Sequence, residues 1–80
     1  MTVRIAKDGG VELLGDCPSS DAETLVGLLI AQPTALVDWR GCQSAHTAVI
    51  QVLIAADKRP SGVPAGAFLA NWVEPLFNRR

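Results

Sequence analysis

Cys42 and His46 lie four residues apart, a spacing that can place a thiol and an imidazole on one face where a loop becomes a helix. A histidine activates a nucleophilic cysteine when a third group orients the ring. The sequence offers no convincing third group, so it favours a small buried thiol and a histidine at a helix start. The same pair forms a metal site only if Asp38 and Cys17 join it, and we expect no metal.

Thr47 stands at the predicted N-terminus of the second helix, where free amide groups and the helix dipole favour an anion. A phosphate on its hydroxyl would therefore be tolerated at this position. The simpler interpretation, which position alone favours, is that Thr47 or Ser44 caps the helix. Asp38 follows a predicted central strand, where open α/β sheets place functional residues, although it can equally just end the strand.

The common catalytic and nucleotide-binding motifs are not found: there is no Gly-x-Gly-x-x-Gly, no phosphate-binding loop, no His-Glu-x-x-His and no Gly-x-Ser-x-Gly. We therefore expect a protein that is not an enzyme and needs no cofactor. Two cysteines are too few for a disulfide scaffold, so free thiols are expected. Tryptophan is enriched in binding hot spots, but in so small a domain we expect Trp39 and Trp72 in the core.

The composition is typical of one small globular domain, spanning residues 1–80. Of the 80 residues, 49% are hydrophobic and 19% are charged, with a formal net charge of -1. These values argue against a disordered chain and against broad electrostatic binding to nucleic acid. No apolar window reaches the roughly 18 residues of a membrane span, and the first residues lack a signal-peptide pattern. We therefore predict a cytoplasmic protein without direct membrane insertion.

The first part of the chain predicts a hairpin and then a helix. Two short strands, 3–5 and 11–14, flank a glycine pair that suits a tight turn. The helix is expected to begin at a capping box. In it the Ser20 hydroxyl accepts a hydrogen bond from the Glu23 backbone N–H, and the Glu23 carboxylate accepts one from the Ser20 backbone N–H. It ends before Pro33, because the residue that precedes a proline avoids the helical region.

The second part predicts a strand, a helix, a loop and a last helix. The apolar run 35–37 predicts a strand buried on both faces, and residues 39–42 are expected to carry the chain off the sheet. A helix over about 46–56 comes next. A loop rich in charge, proline and glycine covers 57–64, and a last helix is predicted over 67–72.

Strand, helix and strand within about thirty residues predict a βαβ crossover. The expected fold class is α/β, with a three- to four-stranded mixed sheet and helices packed on it. A domain of this size buries only about 60% of its unfolded surface, so a partner or self-association would add stability. An uncovered sheet edge would invite pairing, and a homodimer is therefore among the expectations.

The segment 36–56, LVDWRGCQSAHTAVIQVLIAA, resembles the centre of the STAS domain, the domain of sulfate transporters and anti-sigma factor antagonists. That family has an apolar strand ending near Asp, a short loop, Asp-Ser-Ser/Ala-Gly and then an apolar helix. Upstream, Leu14-Gly15-Asp16 and the first helix are similar to the family's preceding elements, so the resemblance covers roughly residues 3–56. The proline-rich loop replaces most of what would be a fourth strand.

The family's switch serine falls on Thr47, which keeps the hydroxyl, and Ala48 keeps the small residue that follows. His46 stands where the family has an acid, and Val49 stands where it has a glycine. In the family, phosphorylation of the switch residue by a partner kinase breaks or forms a protein complex. The resemblance therefore implies that Thr47 is the residue to be phosphorylated.

The resemblance implies a single STAS-like domain that acts as a non-enzymatic regulatory module, similar to an anti-sigma factor antagonist. It would dock a partner protein, such as an anti-sigma factor with a kinase fold, through Asp38, Arg40, His46 and Thr47. Phosphate on Thr47 would add about -1.5 to -2 charge units and repel an acidic partner. The alternative is a constitutive accessory subunit of a transporter ATPase complex, and a less favoured one is an enzyme that uses Cys42 and His46.

Overall fold

A computed structural model describes residues 2–78 of the chain. The elements follow one another in the order expected of a hairpin, a crossover helix, a further strand and two helical regions. They are β1 (Val3–Ile5), β2 (Val11–Cys17), α1 (Ser20–Ala31), β3 (Val37–Ala45), α2 (Thr47–Ala55), a π-helical turn (Leu69–Val73) and α3 (Glu74–Asn78). Residues 67–78 form one continuous helical segment, which we call the C-terminal helix.

The three strands form one mixed sheet in the order β1-β2-β3. β1 and β2 pair antiparallel across the hairpin, and β2 and β3 pair parallel, which requires the crossover that α1 supplies. Side chains from alternate strand positions, such as Leu13 and Val37, share a core with Leu25 of α1 and Leu53 of α2. The predicted α/β class, with a mixed sheet and helices packed on it, is confirmed, and the sheet has three strands.

β3 is longer than the predicted strand, and only one of its faces is buried. It begins at Val37, and residues 39–42, which were expected to leave the sheet, form its centre. Its pairing with β2 shifts register at two places, so β3 contains bulges. Because a bulge changes the alternation of side chains, Trp39 and Cys42 both point into the core although they are three residues apart.

The start of α1 differs from the expected capping box. The helix begins at Ser20, so the N-cap position is Ser19, and the Ser19 side chain makes no capping hydrogen bond. The predicted pairing of Ser20 with Glu23 is therefore wrong. Asp21 instead accepts a hydrogen bond from the Thr2 hydroxyl, which ties the first turn of α1 to the residue before β1.

The segment 61–66 lies along the outer edge of β3 in place of a regular fourth strand. Ser61 forms an isolated parallel bridge with the start of β3, and the Gly66 N–H donates to the Cys42 carbonyl at 3.1 Å. A Cβ atom on Gly66 would lie 1.6 Å from the Gln43 carbonyl oxygen, so this approach requires glycine. Unpaired strand edges promote association, and this segment covers one of the two edges of the sheet.

The C-terminal helix continues past the predicted end at residue 72. Pro75 has no N–H to donate, and its ring collides with the preceding turn of a regular α-helix. A π-helical turn accommodates the proline, since the Glu74 N–H donates to the Leu69 carbonyl five residues earlier. Within residues 2–78, no helix is both long and apolar enough to cross a membrane.

The two tryptophans have different environments. Trp39 is fully buried, and its indole N–H donates to the Gly62 carbonyl at 2.8 Å. The Phe77 ring meets it edge to face, with centroids 5.5 Å apart and an interplanar angle of 89°. Trp72 is 69% exposed, so the expectation of a core position holds for Trp39 and is wrong for Trp72.

Candidate functional site

The N-terminus of α2 lies at the edge of the sheet where the parallel strands β2 and β3 end. The His46 N–H donates to the Cys17 carbonyl at 2.8 Å, which fixes the turn into α2 against the end of β2. We call the surface formed here by Asp16, Ser44, His46 and Thr47 the carboxyl edge. All four of these residues are exposed.

His46 is the N-cap of α2. Its backbone is extended, with φ -60° and ψ 147°, and its Nδ1 accepts a hydrogen bond from the Ala48 N–H at 3.0 Å. Histidine is not among the residues that usually cap helices, so the sequence pointed to Thr47 or Ser44 instead. That expectation is wrong, and the imidazole is held with Nδ1 as the acceptor.

Thr47 is the first residue of α2, and its side chain is exposed. Because His46 supplies the cap, the Thr47 hydroxyl is not needed for it. The first turn of α2 contains no acidic residue, so its amide groups keep their attraction for an anion. The geometry therefore permits modification of this hydroxyl without loss of the helix start.

A contact between Asp16 and Ser44 completes the carboxyl edge and was not anticipated. The Ser44 hydroxyl donates to Asp16 Oδ1 at 2.8 Å, across the ends of the two parallel strands. The rule that functional side chains gather at the carboxyl ends of parallel strands could have identified Asp16 from the sequence. Among residues 2–78, no lysine or arginine forms an ion pair with Asp16, Asp21 or Glu23, so this end of the molecule is acidic.

Asp38 and Arg40 do not belong to this surface. They lie near the start of β3, and the extended chain between Asp38 and His46 spans about 20–25 Å. The two side chains bind each other, with Arg40 Nη2 2.7 Å from Asp38 Oδ2. The predicted grouping of Asp38 and Arg40 with His46 and Thr47 is therefore not formed.

The pair at the start of β3 has a local structural effect. Hydrogen bonds from the Arg40 side chain and backbone hold the pKa of Asp38 below its usual value, and Asp38 raises the pKa of Arg40. Both residues line a groove of about 430 Å³, together with Lys7, Glu12 and Ser61. Charges of both signs are mixed in this groove, so it lacks the one-sided charge of the carboxyl edge.

Cys42 and His46 have separate environments. Cys42 is fully buried, and its Sγ lies 3.9 Å from Cys17 Sγ and donates to the Ser44 carbonyl at 3.3 Å. Burial, and then the neighbouring Cys42 thiol, raise the pKa of Cys17 to about 12, and burial also raises the pKa of Cys42. Reactive cysteines have a lowered pKa and some exposure, so this arrangement does not suit a nucleophile.

The metal site that the sequence left open does not have its ligands assembled. In the described part of the chain, no three side chains of His, Cys, Asp or Glu lie close enough to hold a metal ion. Cys17 and Cys42 are free thiols in contact with each other. They belong to the core beneath the carboxyl edge, and the imidazole of His46 is directed to the Ala48 amide.

The carboxyl edge is thus the surface on which a functional proposal can be built. It combines the start of α2, two exposed hydroxyls and the Asp16 carboxylate, and the start of α1, with Asp21 and Glu23, lies at the same end of the molecule. No family model, curated protein or solved structure matches the chain.

Proposed function

We propose that this protein is a non-enzymatic interaction module of the STAS type that docks a partner protein through the carboxyl edge. Phosphorylation of Thr47 would change the affinity for that partner. The observation that carries the proposal is the exposed Thr47 hydroxyl at the first position of α2, which the His46 cap leaves available. The order of strands and helices, with α2 directly after a parallel strand, agrees with the resemblance noted in the sequence.

The charge of the carboxyl edge supports a basic partner surface. Asp16, Asp21 and Glu23 lie at this end of the molecule, since α1 and α2 both start here. Two helix N-termini stabilise these carboxylates but do not cancel their field beyond the surface. Lysine and arginine side chains on the partner would therefore be attracted, and the rate of association would fall as salt rises.

The negative charge of this surface determines whether phosphorylation of Thr47 would strengthen or weaken partner binding. A phosphate on Thr47 adds about -1.5 to -2 charge units beside Asp16 and Ser44. With an acidic partner the phosphate would weaken binding, as first expected from the sequence. With the basic partner that an acidic surface selects, it would strengthen binding through additional charge-assisted hydrogen bonds.

The test uses four immobilised baits in a lysate of the source cell: wild type, Thr47→Glu, Thr47→Ala and Thr34→Glu. Thr34 is an exposed threonine in the loop that precedes β3, so Thr34→Glu adds the same charge at the other end of the molecule. Proteins that bind wild type and Thr47→Glu differently, but do not distinguish Thr34→Glu from wild type, are then purified. We expect the affinity to differ by at least about threefold between Thr47→Glu and Thr47→Ala.

Two results would contradict the switch. If Thr47→Ala and Thr47→Glu both bind a purified partner as wild type does, Thr47 does not regulate docking. If the partner is retained by all four baits and is recovered with membranes whatever the phosphate state, the constitutive accessory subunit of a transporter ATPase becomes the better proposal. Salt dependence of the same affinities separates a basic contact surface from an apolar one.

A further inference from the structure

The C-terminal helix is apolar on its outer side as well as on its inner side. Leu69 and Phe77 are buried against the rest of the core. On the other side, Phe68 and Trp72 are each 69% exposed and Leu76 is 52% exposed. These three residues are spaced by four, so they form one continuous row along the helix, which we call the C-terminal ridge. A helix that is apolar all round is normally buried on all sides.

We propose that the C-terminal ridge packs against the same ridge of a second copy of this chain, with the two helices antiparallel. The row is symmetric about its central residue, since Phe68 and Leu76 each lie four positions from Trp72. A two-fold axis near Trp72 therefore brings each Phe68 against the Leu76 of the other copy. Such a self-complementary surface is what a closed, two-fold dimer requires.

The absence of charge on the ridge supports this occupant. The exposed neighbours of the ridge on the same helix are Ala67, Asn71 and Pro75, none of which is charged. An uncharged apolar row is best matched by another uncharged apolar row, because a charged partner surface would lose its hydration without gaining an ion pair. The ridge itself is such a surface, and association of two copies needs no other component.

The area of the ridge indicates a weak dimer. Aromatic side chains present roughly 150–250 Å² each, so the exposed parts of Phe68, Trp72 and Leu76 amount to about 400 Å² per copy. With their uncharged neighbours included, two copies would bury about 1,000–1,200 Å², which is below the roughly 1,200–2,000 Å² of stable specific complexes and within the range of weak ones. We therefore expect association that depends on concentration, with a Kd between about 1 μM and 1 mM.

The proposed dimer does not use the surface that carries the functional proposal. The ridge lies on the C-terminal helix, and His46 and Thr47 lie at the start of α2. The proposed dimer also does not use the outer edge of β3, which residues 61–66 cover. The two proposals can therefore fail independently of each other.

Sedimentation equilibrium over about 10 μM to 1 mM tests the dimer directly. The wild-type mass should increase with concentration, at values between 8.5 kDa and twice that mass. Trp72→Glu and Phe68→Glu should remain monomeric throughout. The matched control is Ile30→Glu, because Ile30 on α1 is an equally exposed apolar residue, at 73%. This variant should associate as wild type does.

Circular dichroism of each variant shows whether it is folded, and the exposed positions chosen make folding the expected result. In wild type, tryptophan emission should also move to shorter wavelength as concentration rises, since Trp72 becomes buried. A wild-type protein that stays at 8.5 kDa up to 1 mM overturns the proposal. So does an association that Ile30→Glu abolishes and Trp72→Glu preserves.

A vesicle titration tests whether the C-terminal ridge binds lipid and not a second copy of the chain. Rows of Phe, Trp and Leu are also found on helices that lie at membrane surfaces, and Arg79 and Arg80 follow the ridge in the sequence. Between positions 67 and 78 the sequence has no lysine or arginine, whereas membrane-surface helices are typically rich in these residues on the polar face. If monomeric wild type binds vesicles containing 30% phosphatidylserine and Trp72→Glu does not, the ridge is a lipid-binding surface and the dimer is wrong.

Discussion

The two ends of β3 differ in how the charges around them are balanced. At the start of the strand, Arg40 pairs with Asp38, and Arg4 pairs with Glu12 on the neighbouring strands. At the end of the strand, Asp16 has the Ser44 hydroxyl as its partner. The start carries both signs of charge close together, and the end, among residues 2–78, carries only negative charge.

The two ends of β3 also differ in burial, since the start is enclosed and the end is exposed. Trp39, near the start, is fully enclosed, donates to Gly62 and contacts the Phe77 ring. The end of the strand leads into His46 and Thr47, whose side chains are exposed. Interactions at the start are completed within the chain, whereas the end retains unpaired charge and hydrogen-bonding groups. The start is therefore a structural region, and the end is the surface through which we propose that a partner docks.

The largest expected effect is at Trp39. Trp39→Ala should lower the free energy of unfolding by about 3–5 kcal/mol, because it leaves a cavity and removes the indole hydrogen bond to Gly62. Such a loss can unfold a small domain, so Trp39→Phe is the second variant, with an expected cost of about 1–3 kcal/mol. Ser44→Ala, at the other end, should cost less than about 1 kcal/mol. Urea denaturation measures all three, and an equal cost for Ser44→Ala and Trp39→Phe would remove the distinction between the ends.

The buried thiols give an intermediate effect at high pH. Burial raises the pKa of Cys17 to about 12, against 9.0 for an ordinary thiol, so between these values the folded protein holds a proton that the unfolded chain releases. The contribution of the Cys17 thiol to the free energy of unfolding is fully present below pH 9. It falls as the pH rises towards 12, by up to about 1.4 kcal/mol per pH unit. Urea denaturation from pH 8 to 11 should show a shallower decline for Cys17→Ala. Equal declines would mean that the thiol is solvated.

The smallest effect is expected for the ion pair at the start of β3. Asp38→Asn should cost less than about 1 kcal/mol, because the Arg40 side chain is 71% exposed and solvent screens the pair. Because the pKa of Asp38 is lowered in the folded protein, its carboxylate stabilises the fold at pH values above its ordinary pKa of 3.8. This stabilisation is lost as the pH falls through the pKa of the folded protein. The stability difference between wild type and Asp38→Asn should therefore shrink both in 1 M salt and near pH 3. A difference that persists in both conditions would show that Asp38 acts through packing.

Several elements could be predicted because each rests on local rules. Alternation and a glycine pair indicate the hairpin, and the apolar spacing indicates α1 and α2, the latter predicted over 46–56 and observed as Thr47–Ala55. The bounds of β3 could not be predicted. A bulge makes Trp39 and Cys42 point the same way at a spacing of three, which matches neither the period of a strand nor that of a helix.

The candidate site was predictable only in part, for a different reason. The position of Thr47 at a helix start follows from the sequence, but the cap by His46 depends on a ring orientation that no propensity encodes. The separation of Asp38 from Thr47 depends on the true length of β3, so the error in the strand became an error in the site. The exposure of Trp72 depends on how the C-terminal helix docks, because an apolar helix has no sequence signal for its outer side.

The close contact of Gly66 with the Gln43 carbonyl also has a consequence for the nascent chain. The last residue of β3, Ala45, emerges from the ribosome before its cover does, since that cover includes Gly66, which comes 21 residues later. At about 5–20 residues per second, a ribosome needs about one to four seconds to add them. During that interval the strand exists without the segment that shields it, and pairing with a neighbouring nascent chain competes with correct docking.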